Sequence, residues 1–348
     1  MQRESGLAVH LRSVARGAAG ARALDVDAAD EAFGLLLDRH ASPLETGAFL
    51  VAMRMKGETR EELTGFLRAA QARCVTLSSD APVAVLPSYN GARRVPNLTP
   101  LLALALARDG HRVLIHGTSE EPGRIATAAV LRDLGLPAAR DEADVQAAWS
   151  QRKPAFLPVE RLCAPLAALL EHRRVLGLRG PGHSVAKMLN PVRGAPALRV
   201  VNHTHPEFGA LMDAWARHER IDALLLRGTE GEPVADPRRL PRLDVVLGGV
   251  PRPELGAAAQ DGVLAELPLL PRCADSAATA LLVQELLSGQ RPLPAPLARQ
   301  IAVIGQALAE LATREAGPAG PPAPWADVLD VSGMAEMAGV ADRRRAWR

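Results

Sequence analysis

The sequence predicts an α/β fold with a small N-terminal helical domain and a larger domain built on a central, mostly parallel sheet. Up to about residue 80, apolar side chains recur at helical spacing. From residue 83 onward, short apolar runs of strand type alternate with apolar helical segments, a pattern typical of a parallel sheet covered by helices on both faces. Of the 348 residues, 48% are hydrophobic, which is enough for a large core.

The N-terminal helices are predicted from their capping residues. The segment Asp30–Asp38 places apolar residues on one helical face. Ser42, followed three residues later by Glu45, forms a capping-box pattern at the start of a second helix, which is predicted to end at Gly57. A third helix is predicted to begin near Thr59, because two glutamates follow in its first turn. We therefore predict a helical domain in this part of the chain.

The rest of the chain is divided by its alternating pattern. We predict strands at Val83–Leu86, Arg112–Ile115, Ala155–Leu157, Leu198–Val201, Ala223–Leu226 and Asp244–Leu247. The intervening helices are predicted at or around Leu101–Leu106, Arg124–Leu134, Leu211–Arg217, Thr279–Leu287 and residues 297–314. The predicted domains are residues 1–78 (helical), 79–315 (α/β) and 316–348, a Pro/Gly-rich linker with a basic tail.

Composition excludes several classes of protein. The charged fraction of 23% argues against wholesale disorder. Cys74, Cys163 and Cys273 lie far apart without a CxxC, which excludes a disulfide framework and a structural zinc site and favours a reducing compartment. No uncharged apolar run approaches the roughly 20 residues of a membrane helix, and no signal-peptide pattern is present. The sequence therefore predicts a cytoplasmic protein that does not interact with membranes.

Two segments carry a family resemblance. Ser42–Ala69, which includes the KGET element Lys56–Thr59, resembles the helical domain of the anthranilate phosphoribosyltransferase and nucleoside phosphorylase superfamily, glycosyltransferase family 3. HRRVLGLRGPGHSVAKMLNP, His172–Pro191, is similar to the R-x-x-LG-x-R segment that leads into the Asn-Pro of that family. The resemblance covers residues 25–315. It implies a two-domain fold in which helices from about 160–190 return to join the first domain.

The same resemblance shows departures at the catalytic positions. PSYNGARR, Pro87–Arg94, replaces the Gly-rich loop whose backbone N–H groups hold pyrophosphate in the transferases. Asn97–Thr99 resembles the phosphate-contacting Asn-x-Ser-Thr of the family. TSEEPGR, Thr118–Arg124, brings two carboxylates into a region that serves phosphates. We interpret Pro87–Arg94 either as an ordinary turn, since Asn-Gly is a common turn dipeptide, or as an anion site at a helix N-terminus.

RGTEGEP, Arg227–Pro233, stands where the transferases have the adjacent Asp-Glu pair that recruits magnesium. Glu230 and Glu232 are therefore weak magnesium candidates, and a Gly-rich turn with solvated carboxylates is the favoured interpretation. His203, His205 and Glu207 lack a further ligand at diagnostic spacing, so no metal is predicted there. We predict no cofactor; magnesium is implied only if the chain is an active transferase.

LPSYNGAR, IHG and LLLRGTEGEP resemble the YbiB-type branch of the superfamily more closely than its transferases. That resemblance implies DNA binding by a homodimer, joined through the helical domains around Ala48–Met55, with basic grooves that hold DNA or RNA without sequence preference. All but three of the 41 basic residues are arginine, which is compatible with phosphate recognition but also follows from GC-rich coding. The candidate phosphate-binding residues are Arg93, Arg94, Asn97, Arg173, Arg174, Arg179, Lys187, Arg343, Arg344, Arg345 and Arg348.

The favoured function is therefore sequence-independent nucleic-acid binding by a catalytically inactive relative of anthranilate phosphoribosyltransferase. The alternatives are an active phosphoribosyltransferase that uses an unidentified acceptor, and a sensor that binds a phosphorylated sugar without turning it over. For the arginines of residues 173–179, an alternative to a basic groove is a solvated helix edge. For the C-terminal arginines, the alternative to a nucleic-acid-binding arm is a soluble terminus without a binding role.

Overall fold

The computed structural model describes residues 6–17, 20–265, 267–268, 270 and 275–314. The helices of the first half are α1 (Gly6–Val14), α2 (Val26–Leu37), α3 (Pro43–Lys56), α4 (Arg60–Gln71), α5 (Thr99–Arg108), α6 (Thr127–Asp133) and α7 (Glu142–Ser150). They are followed by α8 (Val159–Leu162), α9 (Ala164–Leu170), α10 (His172–Leu176), α11 (Pro181–Ala186), α12 (Pro206–His218), α13 (Ser276–Leu287) and α14 (Ala295–Thr313). The strands are β1 (Leu77–Ser78), β2 (Val83–Ser88), β3 (Arg112–Gly117), β4 (Ala155–Pro158), β5 (Val192–Arg193), β6 (Ala197–His203), β7 (Ala223–Arg227), β8 (Leu243–Leu247) and β9 (Val250–Pro251).

The predicted caps of the N-terminal helices are confirmed. Ser42 and Glu45 form the capping box of α3, in which the Ser42 N–H donates to the Glu45 carboxylate at 2.9 Å. Gly57 ends α3 at φ 80°, a left-handed value that favours glycine. Thr59 begins the cap of α4, with a second capping box to Glu62. The sequence therefore determines these helix ends locally.

The KGET element forms a clamp between α3 and α4. The fully buried Glu62 accepts hydrogen bonds from Lys56 Nζ at 2.6 Å, from the Thr59 N–H at 2.9 Å and from the Leu24 N–H at 3.0 Å. Because a buried carboxylate is stable only when it is paired and hydrogen-bonded, Lys56 and Thr59 are both needed here. This part of the family resemblance is explained by packing.

The central sheet has seven strands in the order β4-β3-β2-β6-β7-β8-β9. The pairs from β4 to β7 are parallel, and β8 and β9 are added antiparallel at one edge. All six predicted strands are confirmed, with ends within two residues of the prediction. Strands β1 and β5 form a separate two-stranded parallel sheet. The two-residue strands β1, β5 and β9 were not predicted, because two residues carry no periodicity.

Two hydrophobic cores lie on opposite faces of this sheet. Alternate residues of β2 point to opposite faces, so Val83 and Val85 join one core while Ala84 and Leu86 join the other. The first core is continuous with the core of the N-terminal helices, and α9 and α11 pack against α2, α3 and α4. The second core lies under α5, α13 and α14. Residues up to Thr313 form one compact unit, and none of its described helices is long and apolar enough to cross a membrane.

The strand order determines where a ligand can approach. From β2 the chain adds strands in one direction through β3 and β4, and later in the other direction from β6 onward. In open α/β sheets, ligands bind outside the carboxyl ends of the strands at such a switch point. Here the loops after β2, β3, β6 and β7 meet at that edge of the sheet.

Candidate functional site

The carboxylate of Glu232 lies at the carboxyl edge of the sheet and is 1% exposed. Its Oε1 accepts hydrogen bonds from the backbone N–H groups of Asn90 at 2.9 Å and Gly91 at 2.8 Å. Its Oε2 accepts from the hydroxyls of Ser88 at 2.5 Å and Thr99 at 3.1 Å. Glu232 therefore lies in a pocket of donors formed by the loop after β2 and the start of α5.

Glu230 occupies a second group of donors on the same loop. Its Oε1 accepts from the N–H groups of Arg94 at 2.7 Å and Val95 at 3.1 Å, and its Oε2 accepts from the N–H of Arg93 at 3.0 Å. Arg124 Nη1 lies 3.5 Å from the same Oε2. These contacts hold Glu230 in the left-handed region, at φ 52°, which is uncommon for a non-glycine residue.

The loop that follows β2 is therefore an anion site of a different kind from the one predicted. The anion-site interpretation of Pro87–Arg94 placed Arg93, Arg94 and Asn97 against an external phosphate. In the structure, the backbone N–H groups of residues 90, 91, 93, 94 and 95 bind two carboxylates of the chain itself. The Arg93 and Arg94 residues are exposed.

Asn97 is 1% exposed, and its side chain is used within the fold. Its Nδ2 donates to the carbonyl oxygen of Ile125 and to the hydroxyl of Thr127, both at 3.0 Å, and its Oδ1 accepts from the Thr99 N–H at 3.2 Å. Asn97 thus connects the loop after β2 to the start of α6. With its amide hydrogens donated to these oxygens, it is a positioning residue for the loop.

The carboxylates of Glu230 and Glu232 do not fit a magnesium ion. Magnesium requires oxygen lone pairs that face the metal. The oxygens of both residues instead face N–H and O–H hydrogens, whose partial charges are positive. Among the residues that the structure describes, no group of three or more His, Cys, Asp or Glu side chains could hold a metal ion.

Beside this loop lies a group of basic side chains, Arg124, Arg173, Arg179 and Lys187, which we call the cleft cations. Arg173 Nη2 lies 2.5 Å from Glu121 Oε1, and Arg179 lies 3.9 Å from the same oxygen and donates to Asn90 Oδ1. Lys187 Nζ donates to Asn202 Oδ1 at 2.8 Å and to the Gly231 carbonyl oxygen at 3.2 Å. The structure therefore brings Arg173, Arg179 and Lys187 to one cleft, together with Glu121.

Burial and neighbouring cations disfavour the charged forms of Arg179 and Lys187. Burial, followed by repulsion from Arg173, lowers the pKa of Arg179 to about 10. Burial, followed by repulsion from Arg179, lowers the pKa of Lys187 to about 8. Burial and then the charges of Arg179 and Arg173 lower the pKa of His183 to about 3. Since an added negative charge would relieve this repulsion, the cleft favours an anionic ligand.

Several cavities border the cleft cations, and one of about 740 Å³ is lined by residues that include Arg93, Glu121 and Arg124. Another of about 350 Å³ is lined by Arg173, Arg174 and His183 and by the carboxylates of Glu120, Glu121 and Glu171, among others. Another of about 240 Å³ is lined by residues that include Arg179, Lys187 and Asn202. Arg174 itself is exposed and forms an ion pair with Glu171 at 2.9 Å. The cleft is therefore open enough for an extended ligand to reach the arginines.

Sequence reasoning missed several members of this site. Ser88 and Asn90 lie in the Pro87–Arg94 segment and Glu121 in the Thr118–Arg124 segment, but their contacts with Thr127, Glu230 and Arg173 come from the sheet order and could not be predicted from those segments. A buried hydrogen bond of 2.8 Å between Tyr89 Oη and His116 Nδ1 was also missed. The predicted residues Arg343, Arg344, Arg345 and Arg348 lie outside the described residues.

An exposed apolar stripe follows one face of α3. Leu44 is 82% exposed, Val51 37% and Met55 80%, and exposed Ala48 lies between them at helical spacing. Soluble proteins rarely leave such a stripe in contact with water unless a partner covers it. The stripe lies in the segment where the sequence predicted a dimer contact.

Comparison with known proteins identifies the family. A model described as the helical bundle domain of the glycosyl transferase family matches residues 10–74. Protein YbiB of Escherichia coli (strain K12) is 34% identical over 311 residues, which cover 88% of this chain and 96% of YbiB. The chain belongs to the YbiB family. This confirms the predicted membership of glycosyltransferase family 3.

This member of the YbiB family is also similar to anthranilate phosphoribosyltransferases. The anthranilate phosphoribosyltransferase of Nitratidesulfovibrio vulgaris is 36% identical over 167 residues, about half the length of each chain (47% of this one and 49% of the other). The crystal structure of the Thermus thermophilus enzyme covers 90% of this chain and 91% of its own, with a TM-score of 0.65 at 20% identity. The Saccharomyces cerevisiae enzyme in complex with PRPP and Mg superimposes with a TM-score of 0.62 at 14% identity, over 88% of this chain and 90% of its own. These similarities confirm the predicted fold, a helical bundle with a mostly parallel α/β domain.

Proposed function

We propose that this YbiB family protein binds DNA or RNA without sequence preference through arginine–phosphate contacts in the cleft. The observation that carries the proposal is the convergence of Arg173, Arg179 and Lys187 on one open cleft. After burial, repulsion between neighbouring cations also helps to lower the pKa of Arg179 and Lys187. A nucleic-acid backbone supplies the negative charge that would relieve this repulsion. Arg173 and exposed Arg93, Arg94 and Arg174 extend the basic surface, and phosphate contacts of this kind carry no base information.

We further propose that the protein does not catalyse phosphoribosyl transfer. The backbone N–H groups of the loop after β2 already bind Glu230 and Glu232, so they are not available to a pyrophosphate group. The same two carboxylates face hydrogen-bond donors and do not fit magnesium. Preorganised hydrogen-bond donors that stabilise a transition state are usually the largest contribution to catalysis. Here the donors of the loop after β2 bind Glu230 and Glu232 of the chain itself.

A homodimer is the third part of the proposal. The stripe of Leu44, Ala48, Val51 and Met55 supports pairing through α3. A two-fold axis places the same stripe on both protomers, so the surface is self-complementary by symmetry. Pairing would also double the length of basic surface that a single nucleic-acid strand could contact.

One pair of assays tests the function. Fluorescence anisotropy with labelled oligonucleotides of unrelated sequence, single- and double-stranded, should give similar affinities that fall steeply as salt rises. The same preparation should not turn over phosphoribosyl pyrophosphate with anthranilate, with or without magnesium. Absence of nucleic-acid binding at low salt would reject the proposal. Clear turnover would instead support the alternative, an active transferase.

A further inference from the structure

Cys74 and Cys163 lie together where the chain crosses between the N-terminal helices and the central sheet. Cys74 ends the segment that matches the helical bundle model and lies between α4 and β1. Cys163 lies between α8 and α9, where the chain returns from β4 to the helices. We propose that these two residues are a redox modification site, at which a hydroperoxide oxidises both thiols to a disulfide that joins the two crossings. The site is independent of the proposed nucleic-acid binding.

The two sulfur atoms share one acceptor. Cys74 Sγ lies 3.3 Å and Cys163 Sγ lies 3.6 Å from the carbonyl oxygen of Ala70. The two thiols are also within hydrogen-bonding reach of each other, and neither is part of a disulfide. Cys163 is 1% exposed, whereas Cys74 is partly exposed. A reactive sulfur formed on one residue would therefore meet the thiol of the other directly.

The backbone holds the pair at a spacing that suits a disulfide. The N–H of Val75 donates to the carbonyl oxygen of Leu162 at 2.9 Å, so the peptide group after Cys74 is joined directly to the peptide group before Cys163. A disulfide spans α-carbons roughly 4.4–6.8 Å apart. Opposite residues of hydrogen-bonded backbone segments lie about 4.5–5.5 Å apart. Formation of the bond therefore requires rotation of two side chains and no movement of one domain against the other.

The surroundings give the two sulfurs different roles. The hydrogen bond with Cys74 lowers the pKa of Cys163, although burial opposes this effect. The backbone N–H of Leu166 and the charge of Arg73 act in the same direction as that hydrogen bond. The hydrogen bond with Cys163, together with burial, raises the pKa of Cys74. Because the thiolate is the nucleophile, Cys163 reacts with the oxidant first and Cys74 completes the disulfide.

The oxidation proceeds in two balanced steps. In the first, the Cys163 thiolate attacks one oxygen of hydrogen peroxide, the O–O bond breaks, and the sulfur becomes a sulfenic acid. The departing hydroxide takes up the proton that the thiol released and leaves as water. In the second, the Cys74 sulfur attacks the sulfenic sulfur, the S–S bond forms and the S–O bond breaks, and hydroxide leaves with the Cys74 proton as a second water. Two electrons pass from the thiols to the peroxide, and a small dithiol reverses the change by thiol–disulfide exchange.

Peptide mapping after oxidation tests the site. The wild-type chain and the variants Cys74→Ser, Cys163→Ser and Cys273→Ser are treated with a small excess of hydrogen peroxide, alkylated and digested without reductant. Wild-type protein and Cys273→Ser should both give a linked pair of peptides that contain Cys74 and Cys163, and dithiothreitol should remove it. The other two variants should give no linked pair. Cys273→Ser is the matched control, because it removes the remaining cysteine of the chain and leaves the proposed pair in place.

The melting temperature shows whether the disulfide forms within the folded protein. Because a bond that closes a loop of roughly 90 residues restricts the unfolded chain, the oxidised wild-type protein should melt at least about 5 °C above its reduced form. Cys74→Ser should show no such rise. If Cys163→Ser does not fold, Cys74→Ser, at the partly exposed position, decides the question. Absence of the linked peptides from oxidised wild-type protein would overturn the proposal, and so would linkage without a rise in the melting temperature.

Discussion

The backbone N–H of Gly91 donates a hydrogen bond of 2.8 Å to Oε1 of Glu232, which lies 141 residues further along the chain. The bond connects the loop after β2 to the loop after β7, and these two strands are separated in the sheet by β6. Glu232 thus spans the carboxyl edge of the sheet at its switch point. It stabilises the edge from which the cleft cations project.

Neutralising this carboxylate should destabilise the protein. Glu232→Gln removes charge-assisted hydrogen bonds and turns an amide NH₂ toward buried donors, so we expect the free energy of unfolding to fall by roughly 3 kcal/mol. Urea denaturation measures this change. Glu254→Gln, at an exposed site, should change the same quantity by less than about 0.5 kcal/mol. A loss below about 1 kcal/mol for Glu232→Gln would contradict the role assigned to the carboxylate.

No turnover of phosphoribosyl pyrophosphate is expected at any magnesium concentration. The physical reason is that the loop donors and the two carboxylates satisfy one another, so neither is available to substrate or metal. A coupled fluorescence assay for loss of anthranilate checks this.

Nucleic-acid binding should respond to charge removal in the cleft. The triple variant Arg173→Ala, Arg174→Ala, Arg179→Ala should weaken binding by a similar factor for unrelated sequences. Each lost phosphate contact should reduce the slope of log affinity against log salt by roughly 0.9 for duplex and about 0.7 for single strands. Arg140→Ala, which removes an equally basic but exposed side chain near α7, is the control and should leave the slope unchanged. If the triple variant has the same affinity and salt slope as Arg140→Ala, the nucleic-acid groove lies elsewhere.

The apolar stripe of α3 predicts the oligomeric state. The wild-type protein should have the mass of a dimer by light scattering at micromolar concentration. Val51→Glu with Met55→Glu should give a monomer, because a carboxylate buried at the centre of an interface is costly. Val250→Glu, at an exposed apolar residue of β9, should remain a dimer. A monomeric wild-type protein would contradict dimerisation through the apolar stripe of α3.

One buried imidazole, His116, and one half-buried imidazole, His183, predict the response to acid. The pKa values of His116 and His183 are lowered to about 3, mainly by burial. In the unfolded chain they take up protons near pH 6.5. The unfolded state therefore binds more protons between pH 6.5 and about 3. Consequently the free energy of unfolding should fall with decreasing pH in that window, by up to ~1.4 kcal/mol per pH unit for each imidazole.

The substitution His183→Asn isolates one of these contributions. The variant should show a shallower fall of stability between pH 6.5 and 4 than the wild-type protein, measured by urea denaturation at each pH. An unchanged slope would show that the His183 imidazole takes up its proton equally in both states.

The sequence predicted the fold well because its signals are local. The Ser42 and Thr59 caps, Gly57 and the six main strands each depend on a few neighbouring residues or on a period of two. The site was predicted only in part. The sequence predicted Glu230 and Glu232 as weak magnesium candidates and Arg93 and Arg94 as phosphate-binding residues. Their actual relationship, carboxylate to backbone N–H, depends on the order of β2, β6 and β7, which no local pattern contains.

The pairing of Glu230 and Glu232 with the loop after β2 also restricts how this lineage can change. New acidic residues that could bind magnesium would bring no benefit while Glu232 remains in the loop, so its loss has to come first. That first step leaves buried donors without partners and is therefore the one that selection for a stable protein opposes. Gly231 is under a related restriction, since any larger residue there requires a simultaneous change at Asn90. Any change at Glu232 would therefore have to pass through a less stable intermediate.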